Sequence, residues 1–505
     1  MQSTTIQVQK KSGIMLWATT ATILLVILTD LLVFDAASGI NLFLTAIAIA
    51  LAITSVAWRR RRFLQGTTGF ITALTLSLPL IESATLLSLL LAALGLGLSA
   101  LMAVRLMPAR LEHIPRSLLR LLLPAPTRLV RDAVGMRPPM QQQAARKALL
   151  WLVAWIVPLG LGAVFAYLFA AANPLIEAVL STVRMQAVLD LFDPIRFLFW
   201  LIVATGIWAL LRPRLLRQRR RKVAVQDAAL KDSAWLGSAA IFRSLVVFNA
   251  LFGIQTFLDL AYLWGGVALP DGMSHAEYAH RGAYPLIVTA LLAAAFVLAA
   301  MRERSPVRDK RIIRALVYLF IAQNVLLCLS AMLRLELYVE VYSLTELRLA
   351  AGIWMGLVAI GLVLILLRIW LRRSNAWLVA SNLVALTIVL YASAMLDLGF
   401  YIARFNVEHS RELTGQDLSI DLDYLRLLGP SAVPALDRLI PRLNQGSPSW
   451  ANAVAIRSEL VGELLDRPGD WRGWSWRAQR LKDYLVMHAV ASAPPKRQNG
   501  MVVVR

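Results

Sequence analysis

Apolar stretches of membrane-spanning length recur from one end of this chain to the other, and arginine clusters stand at every second boundary between them. A helix needs roughly 20 apolar residues to cross a hydrocarbon core about 30 Å thick. In lipid, only helices and closed barrels satisfy their own backbone groups. The runs Ile14 to Phe34, Leu42 to Trp58, Thr67 to Ile81, Leu86 to Leu106, Ala148 to Ala171 and Phe197 to Leu211 match that length or fall slightly short of it. Ile241 to Leu263, Tyr284 to Ala300, Ala315 to Leu333, Leu349 to Trp370 and Trp377 to Leu396 continue the series. The pattern predicts an all-α polytopic transmembrane helical bundle of about eleven spans over residues 1–398. Lys10 and Lys11 before the first run and Ala36-Ala37 after it resemble a cleaved leader, but the apolar core is too long for one and a second span follows at once.

After Leu398 the apolar residues become periodic and charges of both signs mix, which predicts a small helical tail over 399–490 and a disordered end over 491–505. Ser431 is placed to cap a helix whose Val433, Leu436, Leu439, Ile440 and Leu443 share one face, and Gly429 and Pro430 punctuate the chain before it. The stretch Ser449 to Leu465 places Val454, Leu460, Val461 and Leu464 in the same way. Asp470-Trp-Arg-Gly-Trp-Ser-Trp-Arg477 follows; its tryptophans suit a ring at the membrane interface, a docking surface against the bundle, or the core of a small helical domain. The linker over 107–147 is interrupted by Pro108, Pro115, Pro124, Pro126, Pro138 and Pro139. Its basic, amphipathic piece Ile114 to Leu123 is expected to lie on the inner leaflet.

Composition agrees with lipid as the main solvent: 58% of residues are hydrophobic, only 16% are charged, and the mean hydropathy is +0.64. With a cytoplasmic N-terminus, the inside segments collect Lys10, Lys11, Arg59 to Arg62, the cations of Arg105 to Lys147, Arg212 to Lys222, Arg302 to Arg314, and Arg368, Arg372 and Arg373. The outside loops before the tail hold Arg184, Arg196, Arg281, Arg334 and Arg348. This asymmetry satisfies the positive-inside rule and, with an odd number of spans, puts the tail outside. A net charge of +22 would suggest nucleic acid as the partner of a soluble protein, but topology accounts for these cations and no nucleic-acid partner is implied. The dense run Arg212 to Lys222 can also hold anionic lipid headgroups, at roughly 1 kcal/mol per cation near the surface. Cys328 is the single cysteine, so neither an intrachain disulfide nor a cysteine metal site exists.

Charges at mid-span are scarce, although a coupled carrier would need a carboxylate there. Asp30, Asp259 and Asp397 fall near outer helix ends and Arg243 near an inner one. Asn249, Gln323, Asn324 and Asn382 suit hydrogen bonds between helices, and Gly352, Gly356 and Gly361 suit close helix packing. The polar chemistry gathers in two outer loops. The first, Asp271 to Gly282, concentrates His275, Glu277, Tyr278, His280 and Arg281; His275, Glu277 and His280 could hold a divalent metal, but their spacing matches no standard zinc helix, and a hydrogen-bonded loop that caps the helix beginning near Tyr284 is the plain alternative. The second, Arg334 to Arg348, would align Arg334, Tyr338, Tyr342 and Glu346 on one stripe of a helix, followed by Arg348. Acid, base and phenol groups could act together there, or form an aromatic interface belt with a salt bridge. No phosphate loop, zinc-protease helix or nucleophile elbow occurs, and no cofactor is expected.

The segments His275-Ala-Glu-Tyr-Ala-His-Arg-Gly-Ala-Tyr284, Tyr342-Ser-Leu-Thr-Glu-Leu-Arg348 and Asp421-Leu-Asp-Tyr-Leu-Arg-Leu-Leu-Gly-Pro430, with Pro434-Ala-Leu436, resemble the bacterial membrane family known as domain of unknown function 4173. The resemblance spans about Ile241 to Leu443 and implies a bacterial inner-membrane protein without a defined chemistry. All three segments fall on the outer side of the topology drawn from charge. The expected function is binding or sensing of an extracytoplasmic ligand or partner through loops 271–282 and 334–348 and the tail. A transporter or lipid-handling permease is the first alternative, and a membrane-embedded transferase the second.

Overall fold

The computed structural model describes residues 2–135, 193–214, 238–264, 311–415, 419–466 and 469–492, with single helical positions between 155 and 165 and between 289 and 296. Among these residues nine helices are long and apolar enough to cross a membrane. They include α1 (Gln2–Val33), α2 (Ile40–Arg59), α3 (Phe63–Ser77), which runs on into α4 (Pro79–Glu82), and α5 (Leu86–Ala103). Two linker helices follow, α6 (Ile114–Leu122) and α7 (Ala125–Gly135), and then the spans α8 (Pro194–Leu211), α9 (Ser238–Asp259), α10 (Arg311–Tyr342), α11 (Glu346–Trp370) and α12 (Asn375–Met395). The spans expected over 148–171 and 284–300 fall outside the described residues, apart from those single positions.

Local chemistry sets the helix starts. Thr85 and Ser88 form a reciprocal capping box on α5, Asp193 accepts from the backbone of Ile195 and Arg196 at 2.9 and 3.0 Å, and Ser374 caps α12. Each such cap contributes about 1 kcal/mol. Asp35, Arg61, Arg105, Ser343 and Arg372 take positive φ just beyond span ends, where the chain must reverse direction within a few residues.

Two apolar cores organise the bundle. In the first, Ala50, Ile53, Ala57, Ala73, Ala100 and Leu101 are buried between α2, α3 and α5, with α1 and α8 alongside. Small residues allow that approach: a Cβ on Gly69 would lie 3.0 Å from Ser99 Oγ, and one on Gly95 would lie 2.9 Å from Leu76 Cβ. The second core sits between α9, α10, α11 and α12 around Leu245, Val317, Phe320 and Ile321. Asn249 Nδ2 donates to Leu316 O at 3.1 Å and Gln323 Nε2 to Asn249 O at 3.2 Å, so these two amides do tie α9 to α10. Asn324 and Asn382 instead donate to carbonyls of their own helices, and a Cβ on Gly356 would meet nothing. The helix α12 joins the two cores, lying against α4, α5 and the Leu111–His113 turn. Leu24, Ile202, Phe257 and Ile388 are exposed on the outside, as lipid-facing side chains are.

The tail contains α13 (Leu398–Glu408), α14 (Arg411–Thr414), α15 (Leu422–Leu427), α16 (Val433–Leu439), α17 (Pro448–Leu465) and α18 (Trp476–Ser492). Its own core buries Ala403, Val407, Leu425, Val433, Leu436, Leu439, Ile456 and Leu460. One expectation changes and one narrows. Ser431 does not cap α16, because its hydroxyl donates to Asp397 Oδ2 at 2.9 Å. Trp471, Trp474 and Trp476 are exposed and do not fill the tail core. The linker helix α6 is bound to the bundle, because Leu118 and Leu121 pack into the first core and leave Leu119, Leu122 and Leu123 exposed.

Candidate functional site

The tail docks on one end of the bundle, where α1, α4, α10 and α12 finish and α2, α5 and α11 begin. The corner between α10 and α11 is built around Leu344, which is buried. Asn406 of the tail holds that residue's backbone from both sides, accepting from Leu344 N at 2.7 Å and donating to Leu344 O at 2.9 Å. Tyr424 OH accepts from Glu346 N at 2.8 Å, and burial pushes its phenol pKa up. The Arg348 guanidinium lies 4.8 Å from the centre of the Tyr338 ring and 6.0 Å from that of Tyr342, and it donates to the carbonyls of Tyr342 and Ser343. These bonds close a turn that Ser343 makes at φ 66°.

A second set of contacts fastens α18 across the bundle. Glu82, 3% exposed, accepts from Arg480 and, at 3.3 Å, from Arg477 Nε. Arg477 also donates to Leu396 O at 3.1 Å and lies 3.5 Å from Asp397 Oδ2, while Asp397 caps α13 through Phe400 N. Arg477 thus bridges the end of α4 and the end of α12, and Arg480 adds a second guanidinium to Glu82. Just before α18 the chain touches the end of α1 and the start of α2: Ile40 N donates to Trp474 O at 2.7 Å and Arg472 Nη1 to Leu31 O at 2.8 Å. Glycine is required there, since a Cβ on Gly39 would lie 2.4 Å from the Gly473 carbonyl carbon.

Two cavities flank Arg477. One, of about 510 Å³, opens between α5, α11, α12 and the start of α13; Leu349, Ile353, Trp354, Leu386 and Leu390 line it, and Glu346 and Arg477 bring opposite charges to its wall. The other, of about 470 Å³, lies within the tail between Arg404, Arg438, Arg480 and Tyr484. Burial and the Asp437 carboxylate, to which it donates at 3.1 Å, push Tyr484 up to about 12. Both volumes fall within the range of small-molecule sites, and the first combines an apolar wall with a few polar groups, as such sites commonly do.

The sequence stripe is partly realised. Tyr338, Tyr342 and Arg348 come together, but α10 ends at Tyr342, so Glu346 opens the next helix and does not extend the stripe. Arg334 is 3% exposed and pairs deeper in the bundle with Asp259, which also accepts from Gln255 Nε2 at 2.9 Å. His275, Glu277, Tyr278, His280 and Arg281 lie outside the described residues. Sequence reasoning did not single out Glu82, Asn406, Arg477 or Arg480. The available signal was a carboxylate ending an apolar run at Glu82, but its partner Arg480 is 398 positions away.

A family profile described as Domain of unknown function (DUF4153) matches residues 46–439, more than half of the chain. The chain belongs to this family. The number differs from the family 4173 suggested by the loop motifs, and the match to DUF4153 begins within α2, well before the Ile241 start expected from them. It continues through α16, so in this DUF4153 chain the matched region takes in both apolar cores and the corner held by Asn406. Neither the curated proteins nor the solved structures contain a match to it. With nine candidate spans among its described residues, the DUF4153 chain is a multi-pass membrane protein.

Proposed function

We propose that this protein binds an amphiphilic, lipid-like ligand at the end of the bundle capped by the tail. The observation that carries this reading is the cleft of about 510 Å³ between the two halves of the bundle, apolar along Leu349, Ile353, Leu386 and Leu390 and bearing Glu346 and Arg477. An acyl or isoprenoid chain fits the apolar wall, and a polar head reaches the two charges. The loop over 334–348 and the tail both contribute to this end, which supports a binding or sensing role for them, while the third expected element, loop 271–282, lies outside the described residues. The arginine asymmetry supports a cytoplasmic N-terminus and an outside tail, and a bacterial inner membrane is the setting we propose. Alkaline phosphatase and fluorescent-protein fusions after Leu398 and Val490 test that side: phosphatase activity without fluorescence is expected, and the reverse contradicts it.

Ligand binding is tested by native mass spectrometry of protein purified from membranes in mild detergent. Wild type is expected to keep an amphiphile that Ile353→Trp, which fills the cleft, does not keep; equal retention by the two overturns the reading. A carrier is the second reading, favoured by the buried Asp259–Arg334 pair between two spans. It requires flux into proteoliposomes that Asp259→Asn abolishes while the variant remains folded.

A further inference from the structure

At the opposite end of the bundle three separate chain segments bring arginines to one place. Arg60 follows α2, Arg128 lies on α7, and Arg212 and Arg214 follow α8. Arg128, Arg212 and Arg214 face one carboxylate, Asp132, one turn beyond Arg128, and Arg60 lies beside Arg212. Asp132 Oδ2 accepts from Arg212 Nη1 at 2.9 Å and from Trp208 Nε1 at 3.1 Å, and its Oδ1 accepts from Arg214 Nη1 at 3.2 Å. Arg212 also lies over the Trp208 ring, 5.2 Å from its centre. Arg128 donates through Nη2 to Arg120 O at 3.4 Å, whereas its Nη1 is buried and has no hydrogen-bond partner among the described residues.

Among the described residues the charges do not balance. Asp132 compensates one of four guanidiniums, and Arg131 and Arg62 add further positive charge beside Arg128 and Arg60. Burial depresses the pKa values of Arg128 and Arg212 below the ordinary arginine range, and Arg214 depresses both further. Arginines nevertheless remain protonated at physiological pH. Apolar packing and the Asp132 bonds hold several like charges together in a half-buried site. A planar guanidinium presents paired donors that match phosphate oxygens, and several around one point suit a group with three or four acceptors.

We propose that Arg60, Arg128, Arg212 and Arg214 form a binding site for a phosphate-bearing anion, with the unpartnered Arg128 Nη1 as one donor. The ends of α2 and α8 stand where spans give way to polar chain, which is the depth of a lipid headgroup. The same chemistry would accept free phosphate or a soluble phosphate ester.

The test uses full-length protein, delipidated in detergent, titrated separately with phosphatidylglycerol, phosphatidylcholine and inorganic phosphate and followed by native mass spectrometry. Wild type is expected to bind phosphatidylglycerol in preference to phosphatidylcholine. Arg128→Gln is expected to weaken that binding roughly tenfold, the scale of one lost charge-assisted bond. Arg116→Gln, a change at an exposed cation of α6, should leave binding unaltered. Binding of inorganic phosphate that Arg128→Gln weakens, without preference between the lipids, supports the site and assigns it to a soluble anion. If Arg128→Gln does not fold, Arg214→Gln replaces it, because that side chain is half exposed and its loss leaves the packing intact. Equal binding by wild type and the variants, or no binding of any probe, overturns the proposal.

Discussion

The two ends of this bundle treat charge in opposite ways. Where the tail docks, carboxylates face matched guanidiniums: buried Glu82 faces Arg477 and Arg480, half-buried Asp397 faces Arg477, and within the tail half-buried Asp437 faces Arg457. At the other end Arg128, Arg212 and Arg214 share Asp132, with Arg60 beside Arg212. Removing one partner of a closed ionic set leaves a charge buried without compensation. Removing a cation from a crowd of cations relieves repulsion instead. The tail end is therefore a latch whose ions hold structure together and leave an apolar cleft beside them, while the opposite end holds charge in excess of its structural need.

Substitutions at the two ends should separate these roles. The largest effect is expected for the double change Arg477→Ala with Arg480→Ala, which strands Glu82 and should weaken tail docking by about 3–5 kcal/mol. Hydrogen exchange over α13 to α18 should then rise sharply, and unchanged protection would break the comparison. Gly39→Val should cost about 1–3 kcal/mol through the clash with Gly473, read as a lower melting temperature in detergent. Asn406→Leu leaves the Leu344 peptide without its two partners, and a loss of about 1–3 kcal/mol is expected by the same assay.

A smaller effect follows from pH. Because the folded pKa of Tyr484 is raised to about 12, its contribution is complete below the unfolded value of about 10 and declines as pH rises from there through the folded value. Exchange in α18 should increase over that interval in wild type and less in Tyr484→Phe. At the opposite end, Arg128→Gln should change stability by no more than about 0.5 kcal/mol without an added anion. A loss as large as that of the latch variants would mean that both ends are structural.

The spans were legible because lipid demands long apolar runs whatever the exact residues, so Leu42 to Trp58 anticipates Ile40–Arg59 and Leu349 to Trp370 anticipates Glu346–Trp370. The meeting of Tyr338 and Tyr342 was legible because four residues make about one helical turn. Their continuation to Glu346 failed because Ser343 turns the chain and Thr345 starts a new helix. The latch was hidden for a different reason. No local pattern links Glu82 to Arg480, or Leu344 to Asn406 across 62 positions, because such pairs exist only once the helices have packed. Likewise, Arg128, Arg212 and Arg214 read along the chain as a topology signal, and only folding gathers them around Asp132.

The claim that the cleft beside the latch receives an amphiphile is tested most directly by a photo-crosslinking residue placed at Leu390, inside the cleft, and in a second variant at Ile388, on the exposed face of the same helix. After irradiation in native membranes and exhaustive detergent exchange, one discrete lipid-like mass is expected on the Leu390 variant, against a weak and heterogeneous bilayer background on the Ile388 variant. The same heterogeneous adducts at both positions, or none at Leu390, would contradict it.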